Sequence, residues 1–132
     1  MISVLLPAYN AQDTMAQAIL SLQRQTLEDF EIVAVDDGSS DETGAIMEQI
    51  ADPRLRVIRI PHSGLISALN TGLGQCQGDL IARMDADDVC HPERLRLQSE
   101  FMEAHPEVSV CGCLVRSFPR SCVKAGFLKY ES

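Results

Sequence analysis

FEIVAVDDGSSDETGAIMEQI, residues 30–50, contains the change of period that decides the fold. Its first six residues form a nearly continuous apolar run, as in a strand covered on both faces. Asp36-Asp37-Gly38-Ser39 breaks that run with turn-forming side chains. Ser39-x-x-Glu42 then has the pattern of a capping box, predicting a helix that buries Ile46, Met47 and Ile50. One strand, one turn and one helix follow in order.

The unit recurs on both sides. Apolar strand-like runs also occur at ISVLL (2–6), LRVIRI (55–60), DLIARM (79–84) and VSVCGCLV (108–115). Met15, Ala18, Ile19 and Leu22 recur at the spacing of one helix face. Leu65, Leu69, Leu73 and Cys76 form a third stripe, weakened by Gly72 and Gly74 and expected to stop at Gly78. Pro92 suits the first turn of a fourth helix, on which Leu97 and Phe101 share a face. Such alternation implies βαβ units: an α/β chain with a mostly parallel sheet and helices on both faces.

The chain's 132 residues suit a single domain, and a 45% hydrophobic composition excludes a disordered one. No stretch approaches the ~18 apolar residues that span a bilayer. The N-terminus lacks a basic n-region, and its apolar run is too short for a signal peptide, so it reads as a core strand. A net charge of −8 argues against nonspecific binding to nucleic acid or an anionic membrane. Any anionic ligand would need a local reversal of that field. Five cysteines, an odd number, without an export signal favour free thiols and a cytoplasmic location. Cys111-Gly-Cys113 reads as strand packing, since no further soft ligands accompany it. The weakly patterned tail, residues 117–132, reads as an added strand or hairpin, or as the place where a longer protein is cut.

In open α/β sheets, ligands collect outside the carboxyl ends of the strands. Polar clusters follow the strands here: Pro7-Ala8-Tyr9-Asn10, Asp36-Asp37-Gly38-Ser39 and Asp85-Ala86-Asp87-Asp88, with Pro61-His62-Ser63-Gly64 after the third. Two unit charges ~4 Å apart repel by about 4 kcal/mol at an effective dielectric near 20. A hard divalent cation, Mg²⁺ or Mn²⁺, turns that repulsion into binding, because it takes carboxylate and phosphate oxygens. The plainer reading makes Asp85, Asp87 and Asp88 solvated turn residues that cap the helix at Pro92. Asp36 and Asp37 suit a turn, or hydrogen bonds from a base N–H or ribose hydroxyls. Tyr9 offers a ring for a base, although a lone Tyr more often packs. His62 reads as a loop residue without catalytic work.

PAYN (7–10), VDDGSSDET (35–43), ALNTGL (68–73) and ARMDADDVCHPERL (82–95), in that order, resemble the family 2 glycosyltransferases of GT-A fold over residues 2 to about 115. The resemblance implies a Rossmann-like domain that binds a nucleotide-diphosphate-sugar, with UDP-sugar as the expected donor. By position, Pro7 and Tyr9 would line the base pocket, and Asp37 with Asp36 would hold base and ribose. Asp85-Ala86-Asp87 would be the DxD motif, in which Asp85 faces the ribose or sugar. Asp87, with Asp88, would bind the Mn²⁺ or Mg²⁺ that bridges the diphosphate. Transfer would be inverting, onto a glycan or lipid-linked acceptor, with a general base taking the hydroxyl proton. Many members of that family carry a basic residue where this chain has Leu69. Their domains run well beyond 200 residues, so the resemblance implies for residues 1–132 a single donor-binding domain, either a shortened piece or a half completed by another chain, with the base expected beyond Ser132. A sheet edge left by truncation would favour a homodimer.

Other readings are weaker. D-A-D-D-V also resembles the nucleophile motif of haloacid-dehalogenase phosphatases, but that motif follows a first strand and needs more chain after it. An EF-hand loop counted from Asp85 would want Gly where Cys90 stands and Glu where Arg96 stands. No G-x-G-x-x-G turn supports a dinucleotide module. The alternative from another class is a nucleotide- and metal-binding fragment with no transfer activity of its own.

Overall fold

The computed structural model describes residues 1–123. Strands and helices alternate as β1 (Ile2–Ala8), α1 (Met15–Gln23), β2 (Phe30–Asp37), α2 (Thr43–Gln49), β3 (Leu55–Ile60), α3 (Leu65–Leu73), β4 (Leu80–Arg83) and α4 (Arg94–Ala104). The sheet order is β3-β2-β1-β4, and every pair is parallel. Ile2 pairs with Phe30 on one side of β1 and with Leu80 on the other.

Handedness then places the helices. The first two crossovers step the sheet one way, and the third returns past β1 to set β4 on its far side. Because such crossovers are right-handed, the reversal puts α3 on the face opposite α1 and α2. The core agrees, residue by residue. Val4, Leu6, Ile32 and Ala34 pack with Met15, Ile19, Leu22 and Met47, whereas Leu5, Val33 and Val35 pack with Ala68. Successive strand residues thus serve opposite layers. The result is an α/β, Rossmann-like sheet covered on both faces.

By its internal contacts the chain divides into two compact units, Met1–Glu100 and Phe101–Ser132. The sheet belongs to the first. In the second, the rings of Phe101 and His105 stack with centroids 4.3 Å apart, and a short 3-10 helix spans Arg120–Cys122. Among the described residues no helix is long and apolar enough to cross a membrane.

Several local expectations are corrected. The Ser39/Glu42 capping box does not form: α2 begins at Thr43, whose N–H is taken by the Asp41 carboxylate at 2.9 Å. Asp41 is closer to the first turn, and Ser39 is engaged elsewhere. Of the third stripe, Leu69 and Cys76 pack on the sheet beside Ala68 and Gly72, but Leu65 and Leu73 are half exposed, and the helix ends at Leu73. A Cβ on Gly72 would lie 2.3 Å from Leu5 Cδ1, so the glycine read as a weakness is the point of closest approach to the sheet. The fourth helix forms as expected with Leu97 and Phe101 four apart on it, although both are exposed and its buried residue is Leu95. Residues 108–115 form no strand, and Val110 and Leu114 are each 86% exposed. An apolar run becomes a strand only beside a partner's backbone ladder, and the described pairings include none for it. The expected packing role of Cys111 and Cys113 falls with that strand. Of the tail, residues 124–132 lie outside the described residues.

Candidate functional site

The parallel order lines up all four carboxyl ends on one rim. The direction of winding reverses between β1 and β4, which is where an open α/β sheet leaves a crevice. Beyond β1, the next turn is fastened to the turn after β2. Asn10 adopts a left-handed conformation (φ 49°), donates its N–H to Ser39 Oγ at 3.0 Å, and accepts the Ser40 N–H on its side chain at 2.9 Å. Ala11 N–H reaches Thr43 Oγ1 at 2.7 Å, and Gln12 N–H reaches Asp41 at 3.2 Å. The PAYN and DDGSSDET segments are therefore two halves of one clasp.

Next to that clasp lies a cleft of about 190 Å³, lined by Pro7, Ala8, Tyr9, Asp37, His62, Gly64, Leu65 and Ala68. Whole-ligand pockets span ~300–1,000 Å³, so this one suits a ring and not an entire donor. Its one carboxylate is Asp37. Asp37 Oδ1 accepts the Ser63 N–H at 2.8 Å and Oδ2 accepts the Gly64 N–H at 2.9 Å, while His62 Nδ1 lies 3.0 Å from Oδ2 and 3.1 Å from the Asp37 backbone oxygen. The Ser63 N–H is the chief reason the Asp37 carboxyl is held below the ordinary carboxylate range; burial opposes this, and Gly64 and His62 assist. Each carboxylate oxygen has about two acceptor positions, and Oδ1, bonded by Ser63 alone, has room for one more donor. His62 also stacks on Tyr9, centroids 4.1 Å apart and planes inclined by 19°. Gly38 lets these turns meet: its φ is +68°, and a Cβ there would lie 2.5 Å from the His62 backbone nitrogen.

Asp36 lies elsewhere. Its carboxylate accepts the Ser39 N–H at 3.0 Å and Arg59 Nε at 3.3 Å, and it does not line the cleft. Asp85 follows β4 at the switch point, where the Met84 N–H is bonded to Leu5 O at 3.1 Å. Arg83 meets its carboxylate at 2.6 Å. Asp87 and Asp88 are exposed, while Met84, Ala86 and Cys90 turn inward. Partial burial raises the Asp88 carboxyl above its usual value, and the charges of Asp87 and Asp85 add to this. The structure thus brings Pro7, Tyr9 and Asp37 together and leaves the acidic segment beside them on the rim.

Could this segment hold a metal? Among the described residues no three His, Cys, Asp or Glu side chains converge on an ion position. Mg²⁺-type sites in phosphate chemistry use only one or two carboxylates, with water and phosphate oxygens completing the shell. Hard oxygen donors that repel one another fit that demand. His62 does lie in a loop, as the sequence suggested, and what the sequence did not show is its contact with Asp37 and Tyr9. Sequence reading could not have found the Ser63 and Gly64 amides, which any residue type supplies.

The family model for Glycosyl transferase family 2 matches residues 3–121. The chain belongs to this family. The amylovoran biosynthesis glycosyltransferase AmsE of Erwinia amylovora is 41% identical over 124 residues, covering 89% of this chain and 46% of that protein. The uncharacterized glycosyltransferase EpsJ of Bacillus subtilis is 37% identical, with 86% and 33% covered. Among solved structures, TarS 1–349 of S. aureus in complex with UDP-GlcNAc superposes with a TM-score of 0.76 at 29% identity, over 91% of this chain and 37% of that one. The mannosyltransferase PcManGT of Pyrobaculum calidifontis, in complex with GDP-Man and Mn²⁺, gives 0.80 at 25% identity, over 87% and 35%. This family 2 chain spans less than half the length of each of these relatives.

Proposed function

We propose that this family 2 chain is the donor-binding part of an inverting glycosyltransferase that takes a UDP-sugar in a metal-dependent way. The observation that carries the reading is the Asp37 carboxylate, fixed by two backbone amides and His62 at the wall of a ring-sized cleft beside Pro7 and Tyr9. An imide N–H, as in uracil, is the donor its remaining acceptor position would take. Tyr9 and His62 supply flat apolar surface for the base. From that cleft the ribose and diphosphate extend along the rim towards Asp85, across the β1/β4 switch point.

Asp87 and Asp88 are the residues that would hold a Mn²⁺ or Mg²⁺ ion, which when bound supplies Lewis-acid compensation for charge on the departing diphosphate. The chain's own groups bind the base, orient the ribose and fix the rim. The general base that deprotonates a glycan or lipid-linked acceptor belongs, in this reading, to the part of the relatives that these residues do not span. TarS with UDP-GlcNAc and PcManGT with GDP-Man and Mn²⁺ support a nucleotide-sugar and a divalent ion.

Calorimetry with UDP and with GDP, each with Mn²⁺ and with EDTA, tests this. UDP should bind more tightly with Mn²⁺ and more tightly than GDP; equal affinity in Mn²⁺ and EDTA would remove the metal role. A second reading, a nucleotide-binding fragment without turnover, draws on the short share of each relative that the chain spans. Robust consumption of a UDP-sugar by the 132 residues alone would exclude it.

A further inference from the structure

The acidic segment is held at both ends. At its start, β4 is in register with β1 through Arg83↔Leu5, and the Met84 side chain is buried. At its end, the fastening comes from the last turn of α1 and the residues just beyond it. Cys90, only 8% exposed, gives its N–H to Ser21 Oγ at 3.1 Å. The Gln25 side chain, 7% exposed as a residue, uses both halves of its amide there. Its Nε2 donates to His91 O at 2.8 Å and to Cys90 Sγ at 3.2 Å, and its Oε1 accepts the Leu95 N–H at 3.0 Å. The Thr26 N–H adds a bond to Pro92 O at 2.9 Å.

These contacts have a common consequence. One amide side chain joins the end of the acidic segment, the turn at His91 and the first turn of α4. Pinning Met84 and Cys90 inward leaves Asp87 and Asp88 facing out, with few residues between the anchors to absorb movement. Metal sites depend on such support, because partners that orient the ligands control affinity nearly as much as the ligands do.

We propose that Gln25 is a positioning residue: through Cys90 and His91 it fixes Asp87 and Asp88 against the rim, and so sets the metal-dependent part of donor affinity. The affinity clause rests on the UDP-sugar reading above; the mechanical clause stands on the hydrogen bonds alone. The test uses the full 132-residue chain, with Gln25→Met, which keeps length and burial but not the bonds, and Gln25→Glu, which keeps the acceptor for Leu95. Met47→Ala, on α2 and in the same core as Cys90 and Leu95, is a control for lost stability.

Hydrogen exchange should speed up at residues 85–92 in Gln25→Met and stay unchanged in β1. In Met47→Ala the segment should remain protected at a matched loss of melting temperature. UDP affinity in Mn²⁺ should fall about 10- to 100-fold in Gln25→Met, less in Gln25→Glu, and remain unchanged in EDTA. Unaltered exchange at 85–92, or equal acceleration in Met47→Ala, would overturn the clamp. An equal fall in affinity with Mn²⁺ and with EDTA would overturn its link to the metal. If the wild-type chain binds UDP alike with and without Mn²⁺, the donor reading fails separately, and the exchange result still decides the clamp.

Discussion

Asp36 and Asp37 are neighbours in β2 whose carboxylates serve opposite faces of the sheet. Asp36 meets Arg59, its cross-strand partner on β3, while Asp37 meets the Ser63 and Gly64 amides at the cleft. The pleat alone separates them. Asp37→Asn should therefore weaken UDP binding by ~10- to 100-fold, since a hydrogen bond to a charged group is worth about 1.5–3 kcal/mol. Asp36→Asn should cost ~1–3 kcal/mol of stability by leaving Arg59 and the Ser39 amide poorly matched, yet spare UDP affinity. Calorimetry beside denaturant unfolding separates the two; a loss of affinity in both variants would join Asp36 to the site.

The acid limb of the stability curve should depend on Asp52. Hydrogen bonds from Arg54 lower its carboxyl from the ordinary 3.8 to about 2. A carboxyl depressed in the folded state contributes stability fully above its unfolded value and loses it as pH falls through the folded one. The stability difference between the wild type and Asp52→Asn should be constant above pH ~4 and shrink towards pH ~2. Urea unfolding across that range checks it, and a difference that grows on acidification would contradict the Asp52–Arg54 assignment.

Much of the fold was legible in the sequence because its two central strands, β1 and β2, are buried on both faces. β1, β2 and β3 follow from apolar runs, and α1 from four side chains on one stripe. The polar clusters at the strand ends were equally visible, since all four follow strands that formed. What stayed hidden depended on contact between distant segments. Leucine periodicity cannot show that α3 approaches the sheet through Ala68 and Gly72, because the depth of approach is set by Leu5 and Val35. Residue type could not separate the work of Asp36 from that of Asp37 without the pleat and the β3 partner. The run at 108–115 misled for the converse reason: composition supplied a strand, and the described sheet supplies it no neighbour.

Gly72 turns that lesson into a measurement. A Cβ at this position would meet Leu5 Cδ1 at 2.3 Å and Val35 Cγ2 at 2.8 Å, both in a packed layer. Gly72→Ala should cost ~1–3 kcal/mol by overpacking, despite the higher helix propensity of Ala. Gly74→Ala meets only backbone oxygens at 3.6 Å and should be neutral or stabilising by up to ~1 kcal/mol. Unfolding midpoints in the opposite order would mean that α3 lies further from the sheet.

Asp87 offers the sharpest choice between a metal ligand and a solvated turn. It is exposed, and its charge helps to raise the Asp88 carboxyl. Asp87→Ala relieves like-charge repulsion, so the stability of the free chain should stay within ~0.5 kcal/mol of wild type or rise. Affinity should move the other way. If the carboxylate holds a divalent ion against the donor diphosphate, the gain in UDP binding on adding Mn²⁺ should fall at least ~10-fold, while binding in EDTA stays at the wild-type level. A turn residue could produce the first effect but not the second. Melting curves and paired titrations on the same preparation read both signs, and a Mn²⁺ gain equal to that of the wild type would move the ion away from Asp87.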